Sequence, residues 1–228
     1  MCGKFTRMGS WAKVVDFSQP LTRDTMEDSG NDKVVGFKVG DPIPVIVFDA
    51  DLPERVEMLM QWGFPTKSGR GLDPIHCRSE TIDTRPTFAP LFTGGQRGLV
   101  VVRTFNEGEE VEKKTIQYEI DPKEDAPLAF PVLWQKFRKG DQDLFACVQV
   151  TVPANQLISS ITDRMPAFLA QEDWPKWLGE IPATPAELKA MLRTVEGVRW
   201  TMTKQEKTSQ RKKEKVKPVV SDPLPGLF

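Results

Sequence analysis

Apolar residues occur along most of the chain in short runs that are rich in β-branched side chains, a pattern typical of strands. Leu99–Phe105 is the clearest buried strand, because it is bounded by Gly98 and by the polar turn Asn106-Glu107-Gly108. Leu144–Val152 is apolar at nearly every position, which places it at the centre of a sheet. Further strands are predicted at Cys2–Met8 (a short strand or loop), Val34–Phe48 (strands with turns at glycines and prolines), Glu57–Gly63 and Thr115–Ile120.

Helical patterns are fewer, and the best one begins after Thr184. Thr184 is a good N-cap, Pro185 suits the first helical position, and Glu187 completes a capping box. One face of this helix carries Leu188, Met191, Leu192 and Val195. Shorter helical turns are predicted after Pro153 and over Asp173–Leu178, and residues 18–33 are polar and helix-compatible at best.

Short strands with scattered helices favour a mixed antiparallel α+β domain. The 228 residues suffice for one domain with a sizeable core, or for one domain and a tail. We predict a single domain over residues 1–203 and a basic, flexible tail over residues 204–228.

The charge of the chain is unevenly distributed. Its formal net charge is −1, yet seven lysines and arginines between Lys204 and Lys217 face only Glu206 and Glu214. This local net charge of +5 leaves about −6 on the remainder. The tail is either an electrostatic contact for a polyanion or a solvated, disordered segment.

The composition excludes several classes of protein. Apolar residues make up 39% of the chain and charged residues 28%, as in globular proteins. No run approaches the ~20 apolar residues of a membrane span, and the first residues lack a signal-peptide apolar region, so we expect a cytoplasmic protein with no membrane contact. Three cysteines at no metal spacing and a single histidine, His76, argue against a disulfide framework or a metal site. We expect no cofactor, and any histidine-dependent catalysis must use His76.

The first candidate for chemistry is Met1-Cys2-Gly3. Methionine aminopeptidase generally removes Met before a small residue, which would leave Cys2 with a thiol and a free α-amine on adjacent atoms. Their reference pKa values, about 8.5 and about 8, leave part of each group nucleophilic near neutral pH. An amine condenses with an aldehyde to an imine, and a neighbouring thiol closes the imine to a thiazolidine. The alternative is that a cysteine at this position is an accident.

Three further motifs carry reactive or charged groups. Glu107 follows the predicted strand Leu99–Thr104 directly, and a carboxylate at a strand end is partly desolvated, which raises its pKa toward the range for proton transfer. A surface-turn glutamate is the alternative. The other two motifs are Ile75-His76-Cys77-Arg78-Ser79-Glu80-Thr81 and Thr162-Asp163-Arg164-Met165-Pro166.

Together and in this order, these motifs resemble those of the SOS response-associated peptidase (SRAP) family, the abasic-site processing proteins. The family's opening Met-Cys-Gly-Arg-Phe corresponds to residues 1–5, and its Trp-Gly-Leu-Ile-Pro corresponds to residues 62–65, one residue shorter. Four further family motifs have counterparts in this chain. Residues 76–81 correspond to Asn-Ala-Arg-x-Glu-Thr, and residues 85–88 correspond to Arg-x-x-Phe. Residues 104–108 correspond to Gly-Phe-Tyr-Glu-Trp, and residues 162–166 correspond to His-Asp-Arg-Met-Pro. The similarity covers about residues 1–200.

The resemblance implies a fold, a reaction and a set of contacts. The fold would be α+β, a single mixed domain with a largely antiparallel, barrel-like sheet and a few peripheral helices. Cys2 would attack the aldehyde of a ring-opened abasic sugar in single-stranded DNA through its amine and then its thiol, and Glu107 would shuttle protons. A self-processing peptidase activity would release Met1, and the protein would act as a monomer at the nucleoid. The implied nucleic-acid contacts are Arg78, Arg85 and Lys4 for phosphates, Trp62 for a base or sugar, and Arg164.

Two departures from the family pattern bear on activity. The family asparagine that helps to hold the N-terminal cysteine is His76 here, and the family histidine is Thr162. His76 either takes over the lost proton transfer, for which its ordinary pKa is suitable, or only hydrogen-bonds in an inactive pocket.

Other functions remain open on the sequence. A degenerate family member would bind DNA or a protein partner without covalent chemistry, and the missing aromatic residue after Glu107 favours this reading. The final Leu227-Phe228 would suit a groove of a replication clamp. A thiol hydrolase is disfavoured, because Cys77 is adjacent to His76 and would point to the opposite face of a strand, and because Cys147 lies in a predicted core strand.

Overall fold

The structure is a computed structural model and describes residues 2–6, 18, 21–23, 36–112, 114–122, 128–196 and 200–205. The strands are β1 (Lys4–Thr6), β2 (Leu21–Arg23), β3 (Gly36–Lys38), β4 (Pro42–Asp49), β5 (Glu54–Trp62), β6 (His76–Arg78), β7 (Arg97–Val102), β8 (Thr104–Val111), β9 (Lys114–Pro122), β10 (Leu128–Lys139), β11 (Gln142–Pro153), β12 (Arg164–Pro166) and β13 (Trp200–Lys204). The helices are α1 (Ala89–Thr93), α2 (Trp174–Leu178) and α3 (Pro185–Met191), with 3-10 turns at Ser79–Thr81, Ile158–Ser160 and Gln171–Asp173.

The larger sheet closes into a five-stranded barrel. Its strands run in the order β11-β10-β7-β4-β5, and β5 pairs back to β11 at Cys147↔Trp62. The β5–β11 pairing is parallel and the other four are antiparallel. Strands β6 and β12 add to β11, and β2 adds to β5. The α+β fold and its largely antiparallel, barrel-like sheet are therefore confirmed.

The barrel strands are apolar because both of their faces are covered. Every residue of β7 is buried, which explains the continuous run Leu-Val-Val-Val in place of an alternating pattern. Gly98 lets β7 approach β4 closely, since a Cβ at this position would lie 2.6 Å from Cγ1 of Val45. At this position any larger residue would force the two strands apart.

A second sheet, in the order β13-β9-β8-β1-β3, lies against the barrel. Aromatic rings fill the space between the two sheets. Phe5 of β1 lies 5.2 Å from Trp62 of the barrel, and Phe105 of β8 lies 6.0 Å from Phe130 of β10 (ring centroids). This packing sets the N-terminal strand, and Cys2 just before it, at the junction of the two sheets.

The structure confirms several sequence predictions and corrects others. Strands occur in each predicted stretch, and β11 lies inside the sheet with neighbours on both edges. The prediction of a single strand over Leu99–Phe105 is wrong, because the strand structure is interrupted at Arg103, between β7 and β8. The long strand β10 and the strand β13 were not predicted, and β2 lies within the stretch regarded as helix-compatible at best.

The helical predictions fare better. The capping box of Thr184 and Glu187 is present at the start of α3, although the helix ends at Met191, before Val195. A 3-10 turn follows Pro153, and α2 lies within the predicted Asp173–Leu178. In the described part of the chain, no helix is both long and apolar enough to cross a membrane.

The predicted division at residue 203 stays a prediction. Strand β13 ends at Lys204 and pairs with β9. Residues 206–228, with most of the basic tail and its terminal Leu-Phe, lie outside the described residues.

Candidate active site

Cys2 lies at the junction of the two sheets with its thiol buried. The residue is 1% exposed, and Sγ donates to the carbonyl oxygen of Lys4 at 3.4 Å. Burial, followed by the charge of Glu107, raises the pKa of this thiol far above its ordinary value, although backbone hydrogen bonds with Lys4 and Asn106 oppose the shift. The thiol is therefore protonated near neutral pH in this conformation.

Glu107 lies beside the backbone of Cys2. The register Lys4↔Asn106 places β8 next to β1, and the side chain of Glu107 is completely buried. Burial raises its pKa to about 7, while the positive chain terminus and hydrogen bonding to the Cys2 backbone lower it. The expected desolvation is present, but its cause differs from the prediction, because Glu107 lies inside β8 rather than at a strand end.

His76 holds the other side of Cys2. Its Nε2 lies 2.7 Å from the Cys2 carbonyl oxygen, and its ring packs edge-on to Trp62. Burial lowers the pKa of His76 to about 4. This lowered pKa differs from the ordinary value on which the expected proton transfer by His76 rested, and a neutral ring can donate from Nε2 to the Cys2 carbonyl oxygen. The catalytic role of His76 stays a prediction.

The two residues that hold Cys2 come from different sheets. Glu107 belongs to β8 of the second sheet. His76 belongs to β6, which pairs with the barrel strand β11. The backbone of Cys2 thus bridges the two sheets, with a carboxylate beside it on one side and an imidazole at its carbonyl.

Two clefts open beside this junction. The arginine cleft has a volume of about 340 Å³, and its lining includes His76, Arg78, Arg85, Thr81 and Thr87. The threonine cleft has a volume of about 460 Å³, and its lining includes Lys4, Gly108, Glu110, Thr162 and Asp163.

The predicted phosphate-binding residues are divided between these clefts. Arg78 and Arg85 are both exposed and line one cleft together, although seven positions separate them in the sequence. Lys4 is exposed and lines the other cleft, as does the partly buried Thr162. The structure therefore brings the two arginines to one cleft and places the lysine in the other.

Arg164 is placed differently from the expected nucleic-acid contact. Its guanidinium is buried and binds the Glu80 carboxylate through two nitrogens, with Nη2 to Oε2 at 2.9 Å, and Nη2 also donates to the Thr151 carbonyl oxygen at 2.7 Å. The hydrogen bonds from Arg164 lower the pKa of Glu80. Arg164 fastens β12 and the Ser79–Thr81 turn to β11, so its donors are directed into the protein.

Trp62 is likewise placed in the interior. It is 1% exposed and packs on Phe5, so neither face of its ring is open to a base in this conformation. Both Trp62 and Arg164 support the elements that carry His76 and Thr162.

Sequence reasoning missed one residue beside the site, Gln149 of β11. Its side chain is 2% exposed, and strand pairing sets it opposite His76. The signal was available, because Gln149 is the one amide side chain within the otherwise apolar run Leu144–Val150.

The described residues contain no cluster of three or more histidine, cysteine, aspartate or glutamate side chains that could hold a metal ion. Cys2, Cys77 and Cys147 are all buried and free, and Cys147 lies in the barrel core as predicted.

The barrel and the second sheet form an architecture that is also found in solved structures. A crystal structure of a protein from Bordetella bronchiseptica matches with a TM-score of 0.74 at 15% identity, covering 90% of this chain and 100% of the other. One from Bacteroides thetaiotaomicron matches with a TM-score of 0.72 at 18% identity, covering 90% and 93%. These similarities show the fold.

The family follows from the sequence. The model of the SOS response associated peptidase (SRAP) family matches residues 1–209, and the chain belongs to this family. Two relatives from Bacillus subtilis, the abasic site processing proteins YobE and YoaM, are 26% and 27% identical over 202 residues, covering 84% of this chain and 88% and 85% of theirs. The abasic site processing protein HMCES of Gallus gallus is 25% identical over 66% of this chain and 53% of its own length. The resemblance deduced from the motifs is confirmed.

Proposed function

We propose that this protein processes abasic sites by forming a covalent cross-link between Cys2 and the aldehyde of an abasic sugar in single-stranded DNA. The observation that carries the proposal is the position of Cys2 between the Glu107 carboxylate and the His76 imidazole. Relatives that span most of this chain are named abasic site processing proteins, which supports the substrate class.

The reaction begins with the α-amine of Cys2, which becomes available once Met1 is removed. The amine attacks C1′ of the ring-opened sugar, and the carbinolamine loses water to give an imine. The thiol sulfur then adds to the imine carbon while the thiol proton passes to the nitrogen, which closes a thiazolidine. One water leaves, no redox step occurs, and the DNA becomes bonded to the protein through one carbon.

Glu107 is suited to carry the protons of these steps. Its pKa of about 7 means that both protonation states are populated near neutral pH, as a group that alternately gives and takes protons requires. Its location beside the Cys2 backbone allows it to serve the sugar oxygen, the carbinolamine hydroxyl and the forming imine in turn. Under this proposal the same carboxylate assists hydrolysis of the Met1–Cys2 bond.

The arginine cleft is the proposed path of the DNA backbone. Arg78 and Arg85 present guanidinium groups with Thr81 and Thr87 hydroxyls nearby, a set that favours phosphate. Lys4 contributes a positive charge from the threonine cleft. A strand that follows both clefts would contact neighbours of Cys2, since Gly3 lines the threonine cleft and His76 lines the arginine cleft.

A denaturing gel tests the proposal. The protein, with removal of Met1 verified by mass, is mixed with a single-stranded oligonucleotide that contains one abasic site. We expect a shifted band for the native protein and for Cys147→Ala, whose thiol is also buried but lies in the barrel core. We expect no band for Cys2→Ala. Absence of the band for the native protein at every pH from 5 to 8 overturns the covalent mechanism.

A second candidate is a family member that binds DNA without forming the adduct. Two observations favour it: Thr162 stands in the place of the family histidine, and the Cys2 thiol is buried with a raised pKa. Under this alternative the gel shows no band, while the abasic oligonucleotide still binds through Arg78 and Arg85 in a native binding assay.

A further inference from the structure

Gln149 and His76 face each other across two paired strands. β6 and β11 are parallel, with Gln149↔His76 in register, and the backbone N–H of Gln149 donates to the Ile75 carbonyl oxygen at 3.3 Å. Residues directly paired in adjacent strands project to the same side of a sheet. The two side chains are therefore neighbours on the side of the sheet where Cys2 lies.

Both side chains carry buried polar atoms in need of partners. Among the described residues, neither amide atom of Gln149 has a hydrogen-bond partner, and neither does Nδ1 of His76. Burying an amide or an imidazole nitrogen without a hydrogen bond is costly, so polar groups placed together in the interior are expected to satisfy each other. A carboxamide rotates about its last bond and can present either its oxygen or its nitrogen.

The contact with Cys2 decides which end of the amide is needed. The Cys2 carbonyl oxygen only accepts hydrogen bonds, so Nε2 of His76 must carry a proton to bind it at 2.7 Å. Because burial keeps the ring neutral, Nδ1 then holds a lone pair and requires a donor. The amide nitrogen of Gln149 is a donor at the registered position.

We propose that Gln149 is a positioning residue whose carboxamide nitrogen donates to Nδ1 of His76, fixes the tautomer with the proton on Nε2, and so holds the Cys2 carbonyl. With the opposite tautomer, the lone pair of Nε2 would face the carbonyl lone pairs of Cys2, and the N-terminal residue would be released on that side. The consequence for cross-linking rests on the proposed function, whereas the tautomer itself does not.

The indole N–H of Trp62 is the competing donor. It is also buried without a partner among the described residues, and its ring centroid lies 6.4 Å from that of His76. The indole is held by packing against Phe5, whereas the amide of Gln149 can rotate toward the imidazole. Trp62→Phe therefore serves as the control, since it removes the N–H and retains an aromatic ring.

Among the residues that the structure describes, few other charged groups lie near His76. The chain terminus lowers the pKa of His76 through its positive charge, and Asp73, Arg78 and Arg85 line the arginine cleft with it. None of these groups lies on β11, so a charge introduced at Gln149 acts on His76 from a separate direction.

Nitrogen NMR tests the proposal directly, because the chain contains one histidine. With ¹⁵N-labelled protein that carries no histidine tag, the imidazole gives a single spin system whose shifts distinguish the two tautomers. We expect the Nε2–H tautomer alone from pH 5 to 8, and a nitrogen–nitrogen coupling between His76 Nδ1 and the Gln149 amide across the hydrogen bond. Absence of this coupling, or a mixture of tautomers, overturns the proposal even without variants.

Two variants then separate the role of the amide from that of the fold. Gln149→Glu places an acceptor at Nδ1, so we expect the proton affinity of His76 to rise at least tenfold. Gln149→Leu removes the donor, so we expect a second tautomer to appear, while Trp62→Phe retains the native spectrum. A native spectrum in both Gln149 variants, or a change confined to Trp62→Phe, contradicts the assignment.

The cross-linking assay completes the test. We expect Gln149→Leu to slow adduct formation about tenfold, as loss of one hydrogen bond allows, with DNA affinity unchanged because the arginine cleft is intact. If the native protein forms no adduct while the tautomer results hold, the proposed function fails and the positioning role of Gln149 stands.

Discussion

The two side chains that hold Cys2 respond to burial in opposite ways. On the side of the second sheet, burial raises the pKa of Glu107 to about 7. On the barrel side, burial lowers the pKa of His76 to about 4. The same loss of solvent thus makes the acid titrate near neutral pH and keeps the base neutral there. Under the proposed function, this difference assigns proton transfer at neutral pH to Glu107 and hydrogen bonding to the Cys2 carbonyl to the histidine.

The strongest test of this division is Glu107→Gln, which keeps the shape and removes the proton shuttle. We expect cross-linking to slow by at least about 100-fold, the usual effect of losing a general acid–base group. The rate is measured by quenched time points on a denaturing gel. The matched control is Glu109→Gln, two residues further along β8, where the carboxylate accepts from the Tyr118 hydroxyl. An equal loss in both variants would contradict a specific role for Glu107.

The opposite pKa shifts also predict opposite effects of pH on stability. The raised pKa of Glu107 contributes stability that is present below about pH 4.5 and is lost as the pH rises through about 7, amounting to about 3 kcal/mol. The lowered pKa of His76 contributes stability that is present above about pH 6.5 and is lost as the pH falls through about 4.

Urea unfolding across this pH range separates the two contributions. We expect Glu107→Gln to gain stability relative to the native protein between pH 5 and 8, because it lacks the buried carboxyl that must ionise. His76→Gln should lose the decline in stability that the native protein shows toward pH 4. Parallel pH curves for the two variants would refute the assignment of opposite shifts.

The threonine cleft offers a gain-of-function test. Restoring the family residue through Thr162→His places an imidazole in a cleft that Lys4 and Gly108 also line. We expect cross-linking to accelerate about tenfold, because a second proton-transfer group would assist Glu107 at the sugar. Gln117→His, in the lining of the same cleft, should leave the rate unchanged. A rate unaltered in Thr162→His would show that the lost histidine no longer limits this protein.

The smallest expected effect concerns binding alone. Arg78→Gln should weaken binding of single-stranded DNA about fivefold and reduce the slope of log affinity against log salt by about 0.7, the value for one lost phosphate contact. The rate of adduct formation at saturating DNA should stay native. Arg70→Gln, an exposed arginine outside the arginine cleft, is the control, and a similar change there would remove the specific role of Arg78. Fluorescence anisotropy at several salt concentrations measures both quantities.

Many strands and helices could be predicted from the sequence, because local patterns of residues determine them. Apolar β-branched runs marked most barrel strands, and the capping box of Thr184 and Glu187 marked α3. Strand β10 was not predicted, because Pro131 interrupts its apolar run and the strand ends in the largely charged Lys136–Lys139. Charged residues are disfavoured in strands. The barrel-like sheet was expected from the family resemblance, but no local pattern indicates which residues close it, since the pairing of Trp62 with Cys147 joins residues far apart in the chain.

The site was predicted through its motifs and corrected through its packing. Cys2, Glu107 and His76 are brought together as the motif order implied. The burial of Trp62 and the ion pair of Arg164 with Glu80 depend on tertiary contacts that no local pattern encodes. The same holds for Gln149, whose importance follows from strand register.

Strands β5 and β6 pair with the same edge of β11, at Cys147↔Trp62 and Gln149↔His76. The segment from Gly63 to Ile75 therefore forms a loop that leaves β11 beside Cys147 and returns to it beside Gln149, two residues further along the strand. The tip of this loop, residues 67–71, is exposed. Length added at such a tip costs little, because both ends of the loop are fixed by the barrel. A fluorophore at the exposed Ser68 would therefore test the proposed binding of DNA by an optical signal, with Cys2 left unchanged.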